Sequence, residues 1–404
     1  MPVASALMLD KRREARIRPQ LDVLRGVLAA LGEPQELFPS ILVVGTNGKG
    51  STAAMLEAVL RTHGLRTGLF TSPHLISPEE RIRVAGQSIA SSALEEKLTF
   101  LEAYPQLTYF EALTAAAFTV FSEERVDVAV LEAGMGGTWD ATRLARSAIA
   151  GLTNVGLDHA AWLGADVEQI ARDKGRALEA ADRAVYGGGV PPSLVDKMAA
   201  PAAAPAMSRV RVATDRAGRV VVAWSGGETR ARLPLPGDHQ LENLQLAVAL
   251  ALEAVAAGLL PRLDPTLVAA GLEAVRWPGR LSMHTVAGRR VLVDCAHNAE
   301  ATQSLAAYLA RRDVRFNLLF SCLEDKPAVA MAANLSPLVG DIAVCPLADE
   351  RAMPLDRLAA AFPRAVRAGS ALEALASLTD PVLAAGSVRL AGELLAHAEE
   401  AGLP

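Results

Sequence analysis

A short apolar run, Ile41-Leu42-Val43-Val44, leads directly into Gly45-Thr46-Asn47-Gly48-Lys49-Gly50-Ser51-Thr52, and a helical pattern closed by Gly64 follows. That succession constrains the fold more than any other feature of the chain. A brief β-rich run bounded by turn residues reads as a strand buried in a sheet. Glycines just after it let backbone N–H groups approach phosphate oxygens, and the helix N-terminus behind them adds a partial positive charge. Lys49 supplies a point charge, and Ser51 or Thr52 can offer a hydroxyl to Mg²⁺. The general phosphate-loop pattern puts the hydroxyl residue next to the lysine, whereas Gly50 separates them here. A glycine-rich turn with no ligand is the alternative; strand, turn, lysine and helix together weigh against it.

The alternation continues on both sides. Residues 21–32 carry apolar positions at helical spacing and stop at a glycine. TGLFTS (67–72), VDVAVLEAG (126–134) and SAIAGLTNV (147–155) read as strands, and FEALTAAAFTVFSEE (110–124) as a helix. Strands alternating with helices predict an α/β fold with a mostly parallel sheet. Residues 187–207, rich in Gly, Pro and Ala, read as a loop or irregular connection, and 208–235 as a small antiparallel excursion. A helix is expected from about Leu241 to Ala257. After Trp277-Pro278-Gly279-Arg280 a fresh α/β series begins, so the expected domains are 1–281 and 282–404. The C-terminal domain is Rossmann-like in its alternation but lacks G-x-G-x-x-G, so no nicotinamide cofactor is indicated.

Composition narrows the function classes. Half the chain is apolar (51%), which excludes disorder. Lys plus Arg total 40 against 45 Asp plus Glu, a net charge of −5, so non-specific nucleic-acid binding is not expected. An anionic substrate then requires a local cationic pocket. Cys295, Cys322 and Cys345 form neither a metal-type pair nor an even-numbered disulfide set, which favours a reduced setting. Charges interrupt the N-terminus before a signal-type apolar run develops, and no run approaches the ~20 residues that span a bilayer. A cytoplasmic protein is the expectation.

The variant G-T-N-G-K-G-S-T resembles the Mur ligase superfamily, and its T-N form resembles the folate branch, folylpolyglutamate synthase and dihydrofolate synthase. Further segments follow in the same order. Phe70 to Leu75, with Glu80-Arg81-Ile82, is similar to that branch's serine-bearing loop. Glu132-Ala133-Gly134-Met135-Gly136-Gly137 with Asp140-Ala141-Thr142 resembles its acidic Mg²⁺ segment, and Thr153 to His159 its metal-histidine segment. Gly237 to Gln240 with Asn243, Pro278-Gly279-Arg280, and Asp294 to Asn298 complete the set, with a weaker echo at Gly386-Ser387.

The resemblance implies a Mur-ligase-like phosphate-loop domain and a smaller C-terminal Rossmann-like domain. It implies catalytic roles for Lys49, Glu132, His159 and Lys174, the last carbamoylated. ATP would meet Thr46, Asn47, Gly48, Lys49, Gly50, Ser51 and Thr52, with Gln240, Asn243, Arg280, Asp294 and His297. Mg²⁺, at two sites, would meet Ser51, Ser72, Glu132 and His159. Read on its own, Lys174 is a solvated helical lysine and His159 a hydrogen-bonded loop residue; the resemblance decides both. The implied reaction joins L-glutamate to dihydropteroate or a reduced folate through an acyl phosphate, with ADP and phosphate released, by a monomer. Thr138-Trp139, Arg143, Cys295 and Ala299 depart from the family pattern, and none of them removes an implied metal or phosphate contact. Another Mur-type ligase, a non-catalytic nucleotide-binding regulator and a phosphate-loop kinase are the competing readings. A cell-wall Mur ligase would need an additional N-terminal domain, and the loop at Gly45 leaves no room for one in this sequence.

Overall fold

The computed structural model describes residues 20–158, 160–195 and 203–398. They form two compact units, one taking in the chain up to Pro73 with Ser77–Pro234 and Gln240–Arg276, the other His74–Ile76, Leu235–His239 and the chain from Trp277 onward. Both are α/β.

The first unit is built on an eight-stranded sheet. Its strands are β1 (Ser40–Val44), β2 (Thr67–Phe70), β3 (Ile82–Val84), β4 (Gln87–Ser88), β5 (Val128–Glu132), β6 (Ile149–Asn154), β7 (Arg183–Gly189) and β8 (Ala203–Pro205), ordered β4-β3-β2-β5-β1-β6-β7-β8. Only the β2–β3 and β3–β4 pairs are antiparallel. Every residue of β1, β2 and β5 is buried, as expected for parallel strands covered on both faces. Burying each Val or Leu contributes roughly 1.5–3 kcal/mol, so these runs hold the sheet centre firmly.

Helices complete the layers. In Lys49–Thr62 every residue from Gly50 to Leu60 is buried. Helix Pro265–Ala274 presses on it at Gly271, where a Cβ would come 2.9 Å from the Ala58 carbonyl oxygen and the Val59 Cα. Helix Tyr109–Glu123 starts at a reciprocal cap in which Glu111 N–H donates to Thr108 Oγ1 and Thr108 N–H to the Glu111 carboxylate. Strands β9 (Val210–Thr214), β10 (Val220–Trp224) and β11 (Gly227–Ala231) form the antiparallel excursion. The long helix after it begins at Asp238 and runs to Ala256.

One expectation is corrected. The stretch 187–207 is not simply a loop: β7 continues through Gly187, Gly188 and Gly189, and β8 adds a further parallel strand. Glycine is what permits this, because a Cβ at Gly187 would lie 2.5 Å from the Thr153 carbonyl oxygen and one at Gly189 2.6 Å from the Asn154 Cβ.

The other unit has a six-stranded sheet, β12-β13-β17-β14-β15-β16, from Ser282–Val286, Arg289–Val293, Val382–Ala385, Asn317–Phe320, Ile342–Val344 and Val366–Arg367. Only β12–β13 is antiparallel. Alternate residues feed two cores: Leu292, Leu318, Phe320 and Leu383 pack on one face, Val291, Val293, Leu319 and Val382 on the other.

Candidate active site

The loop Gly45–Gly48 leaves the C-terminal end of β1 and is stitched to the neighbouring end of β6. Thr46 N–H donates to the Asn154 carbonyl (3.1 Å), Asn47 N–H to Asn154 Oδ1 (2.8 Å), and Thr153 Oγ1 to the Asn47 carbonyl (2.6 Å). Thr46 Oγ1 accepts from Gly156 N–H at 3.0 Å. Two glycines are sterically required. Gly45, at φ +151°, faces Thr153 so closely that any Cβ would overlap its hydroxyl, and Gly48, at φ +81°, faces the Asn243 amide in the same way. Gly48 is also the N-cap of helix Lys49–Thr62, whose first N–H groups have no partner within the helix.

Two lysines converge on this loop. Lys49 Nζ donates to the Gly45 and Thr46 carbonyls, each at 3.2 Å. Lys174 Nζ, from helix Val167–Glu179, donates to the same Gly45 carbonyl at 2.8 Å. Lys174 is 3% exposed, so the reading of it as a solvated lysine is wrong. Its burial comes from Gly137, where a Cβ would lie 2.9 Å from the Lys174 Cα and 2.5 Å from the Asp173 carbonyl oxygen. Gly137 N–H also donates to Asp173 Oδ2 (2.8 Å). Burial first, and the Lys49 charge second, push the Lys174 ammonium down from 10.5 to about 7, against the carboxylates of Asp173, Asp158 and Asp140.

Glu132 ends β5, level with Val43 of β1 in the strand register. It is buried, and it accepts the Ser72 N–H at 3.0 Å. Glu132 and Ser72 thus meet at the carboxyl edge of the sheet, where open α/β folds bind ligands. Ser51 Oγ, also buried, accepts from Gln240 Nε2 at 3.4 Å, and Gln240 Oε1 accepts from Asn243 Nδ2 at 3.0 Å. Thr52 Oγ1 is buried with no hydrogen-bond partner. His159 lies outside the described residues.

Convergent cations, glycines that admit close backbone approach and an unsatisfied hydroxyl suit a polyphosphate. The oxygens of Ser72 and Glu132 suit a hard divalent cation. Among the described residues no three His, Cys, Asp or Glu side chains are arranged to hold a metal ion.

Arg280, Asp294 and His297 belong to the second unit. Asp294 accepts the backbone N–H groups of Leu281 (3.0 Å) and Ala296 (2.9 Å). Arg280 Nη1 donates to the Gly279 carbonyl at 3.0 Å, and His297 Nδ1 to the Cys295 carbonyl at 2.8 Å. His239 faces both Asp294 and Arg280; burial, reinforced by Arg280 and opposed by Asp294, lowers its basicity.

Sequence reasoning gave no individual role to several contributors. Asp140 is buried and receives the Met135 N–H (2.9 Å) and Thr142 N–H (3.0 Å), and burial pushes its carboxyl up. Asp173 and Asn154 brace the glycine loops. Asn154 closes a strand and Asp173 lies inside a helix, so neither pairing could be read from the local pattern. A cavity of about 830 Å³ lies beside Thr138 and Trp139, with Arg25, Gln35, Arg143 and Arg146 in its lining. Gln35 Oε1 is buried there without a partner. Arg143 Nη1 donates to the Thr138 carbonyl at 2.9 Å, and burial lowers its basicity.

Residues 43–187, which carry this strand, glycine loop, acidic strand end and buried lysine, match the family described as Mur ligase middle domain. The chain is 35% identical over 389 residues to the dihydrofolate synthase/folylpolyglutamate synthase of Mycobacterium tuberculosis, covering 88% of this chain and 80% of that protein. Among solved structures, Mycobacterium tuberculosis folylpolyglutamate synthase complexed with ADP superposes with a TM-score of 0.87 at 33% identity, covering 98% of each chain. The bifunctional folylpolyglutamate synthase/dihydrofolate synthase of Yersinia pestis, complexed with AMPPNP and Mn ion, gives 0.84 at 28% identity, again over 98% of each. The chain belongs to the dihydrofolate synthase/folylpolyglutamate synthase family and is an ATP-dependent ligase. No helix among the described residues is long and apolar enough to cross a membrane.

Proposed function

We propose that the chain joins L-glutamate to dihydropteroate, to reduced folates, or to both. The observation that carries this reading is the convergence of Lys49 and Lys174 on the Gly45 carbonyl, beside the Ser72–Glu132 pair at the same sheet edge.

A carboxylate is a poor electrophile, and amide formation in water is uphill. Transfer of a phosphoryl group to the acceptor carboxylate makes an acyl phosphate, which the glutamate amine then attacks. The protein's part is positioning and charge neutralisation. Lys49 and the N–H groups of Gly48 to Ser51 hold the phosphates. Ser51, Ser72, Glu132 and His159 hold Mg²⁺, at two sites; the cation's chemistry is to offset charge on the transferred group. A lysine pushed down to about 7 holds a large neutral fraction near neutrality, and a neutral amine is what carbamoylation requires. Lys174 as its carbamate becomes an anion on a long arm beside the phosphate loop. Gln240 and Asn243 contact the nucleotide from the first domain, and Arg280, Asp294 and His297 from the second, with domains at 1–281 and 282–404. The acceptor lies in the cavity at Thr138 and Trp139, where Arg143 attracts its carboxylate. The enzyme works as a cytoplasmic monomer and binds no nucleic acid.

The test is phosphate release from ATP and Mg²⁺ with L-glutamate, comparing dihydropteroate with tetrahydrofolate. Release with the first alone defines a dihydrofolate synthase, with the second alone a polyglutamate extender, with both a bifunctional enzyme. Folded protein that binds ATP but releases no phosphate with either overturns the folate assignment.

A further inference from the structure

We infer that two consecutive aromatics, Tyr109 and Phe110, form a clamp that positions the Ser72 loop. The loop leaves β2 after Phe70 and returns to β3 at Ile82, residues paired in the antiparallel register. One more bond zips its root, from Thr71 N–H to the Arg81 carbonyl at 2.9 Å. Each leg then rests on a different ring of the same helix start. The Arg81 guanidinium lies 5.0 Å over the Tyr109 ring centroid, and Arg81 is 2% exposed. Phe70 packs against Phe110 with centroids 5.7 Å apart.

Phe110 also meets the acidic segment, since a Cβ at Gly134 would lie 2.7 Å from its Cζ. Adjacent residues at a helix N-terminus point about 100° apart, so one turn of helix can serve two legs. The reciprocal cap of Thr108 and Glu111 fixes that turn, and with it the direction of both rings. Ser72 sits one residue beyond the zipped root, with its N–H on Glu132. The clamp therefore sets where the Ser72 hydroxyl stands relative to the Glu132 carboxylate. Tyr109, Phe110 and Arg81 are positioning residues. The consequence for metal binding rests on the proposed reading of Ser72 as a ligand.

The experiment uses the full-length, nucleotide-free enzyme. Hydrogen exchange is followed at the Thr71, Ser72 and Ser77 amides, with Ile41–Val44 of β1 as the reference for global opening. Tyr109→Leu should speed exchange at Thr71 and Ser72 about tenfold and leave β1 within about twofold, because local openings report local contacts. Tyr109→Phe keeps a π-face for Arg81 and should behave as wild type. Should Tyr109→Leu fail to fold, Phe110→Leu, on the other leg, makes the same comparison. Equal acceleration at the loop and β1, or none at either, overturns the clamp.

Mn²⁺ affinity, measured calorimetrically with a non-hydrolysable ATP analogue, is the second readout. It should weaken about fivefold in Tyr109→Leu, by analogy with supporting residues around metal sites. Ser72→Ala separates the two claims. If it leaves Mn²⁺ affinity unchanged, Ser72 is no ligand, and the clamp is judged on exchange alone.

Discussion

Lys49 and Lys174 donate to the same carbonyl oxygen, yet they reach it by opposite routes. Lys49 is placed by its own neighbours: it opens a helix directly behind a strand and a glycine turn, and its side chain folds back three and four residues. Lys174 is placed by packing, near the middle of an amphipathic helix that Gly137 allows to approach. The difference teaches where chemistry comes from. A local constraint aims Lys49 at the loop carbonyls, while a tertiary constraint strips Lys174 of water and turns an ordinary side chain into a titratable one.

The largest expected effect tests the tertiary half of that contrast. The folded pKa of Lys174 is lowered, so between about 7 and 10.5 the unfolded chain holds a proton that the folded chain has released. Stability of the uncarbamoylated enzyme therefore rises with pH across that window and is flat, for this group, below it. A drop from 10.5 to about 7 corresponds to roughly 5 kcal/mol in total. Denaturant unfolding from pH 6 to 10 in CO₂-free buffer should reveal the slope, and Lys174→Met should flatten it. Identical slopes in the two proteins would mean that Lys174 is solvated after all.

Next in size is Lys49→Ala. Removing a preorganised cation from phosphoryl transfer is expected to lower kcat about 10²–10³-fold, or roughly 3–4 kcal/mol. Unfolding free energy should change by less than about 1 kcal/mol, because the side chain is only part-buried and its bonds are to loop carbonyls. A mutant that loses stability as much as activity would place Lys49 among the structural residues and erase the contrast with Lys174.

The same contrast explains what was legible in the sequence. The loop from Gly45 to Thr52 could be read because its requirements are local: glycines where Thr153 and Asn243 crowd the backbone, then a helix start. Parallel α/β architecture was legible for a similar reason, since β1, β2 and β5 are short buried runs separated by helices. Strand order was not. Nothing near Glu132 in the sequence says that β5 inserts between β1 and β2, which is what brings Glu132 to Ser72. Burial of Lys174 was equally hidden, because it depends on a glycine 37 positions earlier, across β6 and two short helices. The extension of β7 through three glycines ran against composition, which ordinarily marks such runs as loops.

Gly137→Ala probes that hidden dependence. Its Cβ would press on the backbone of Asp173 and Lys174, which cannot swing aside as a side-chain tip could. A cost of about 2–3 kcal/mol is expected, in the range of overpacked cores, with the Lys174-linked pH slope reduced as the helix moves outward and water returns. An alanine variant of unchanged stability and unchanged slope would show that the helix approaches for some other reason.

The smallest effect concerns the loop alone. Thr52 Oγ1 is buried without a partner, and a buried hydroxyl left unsatisfied costs about 1–3 kcal/mol. Thr52→Val keeps the shape and the β-branching, so helix propensity is nearly unchanged. The nucleotide-free enzyme should then gain about 1 kcal/mol of stability. If the bound nucleotide or its cation offers this hydroxyl an interaction, ADP affinity should fall about threefold to fivefold in the same variant, offsetting the gain once ligand is present. A valine variant that is less stable without nucleotide would mean that the hydroxyl has a partner in solution, such as an ordered water. A gain in stability with no loss of affinity would mean that the local geometry tolerates an idle hydroxyl, and that Lys49 with the backbone N–H groups suffices to hold the phosphates.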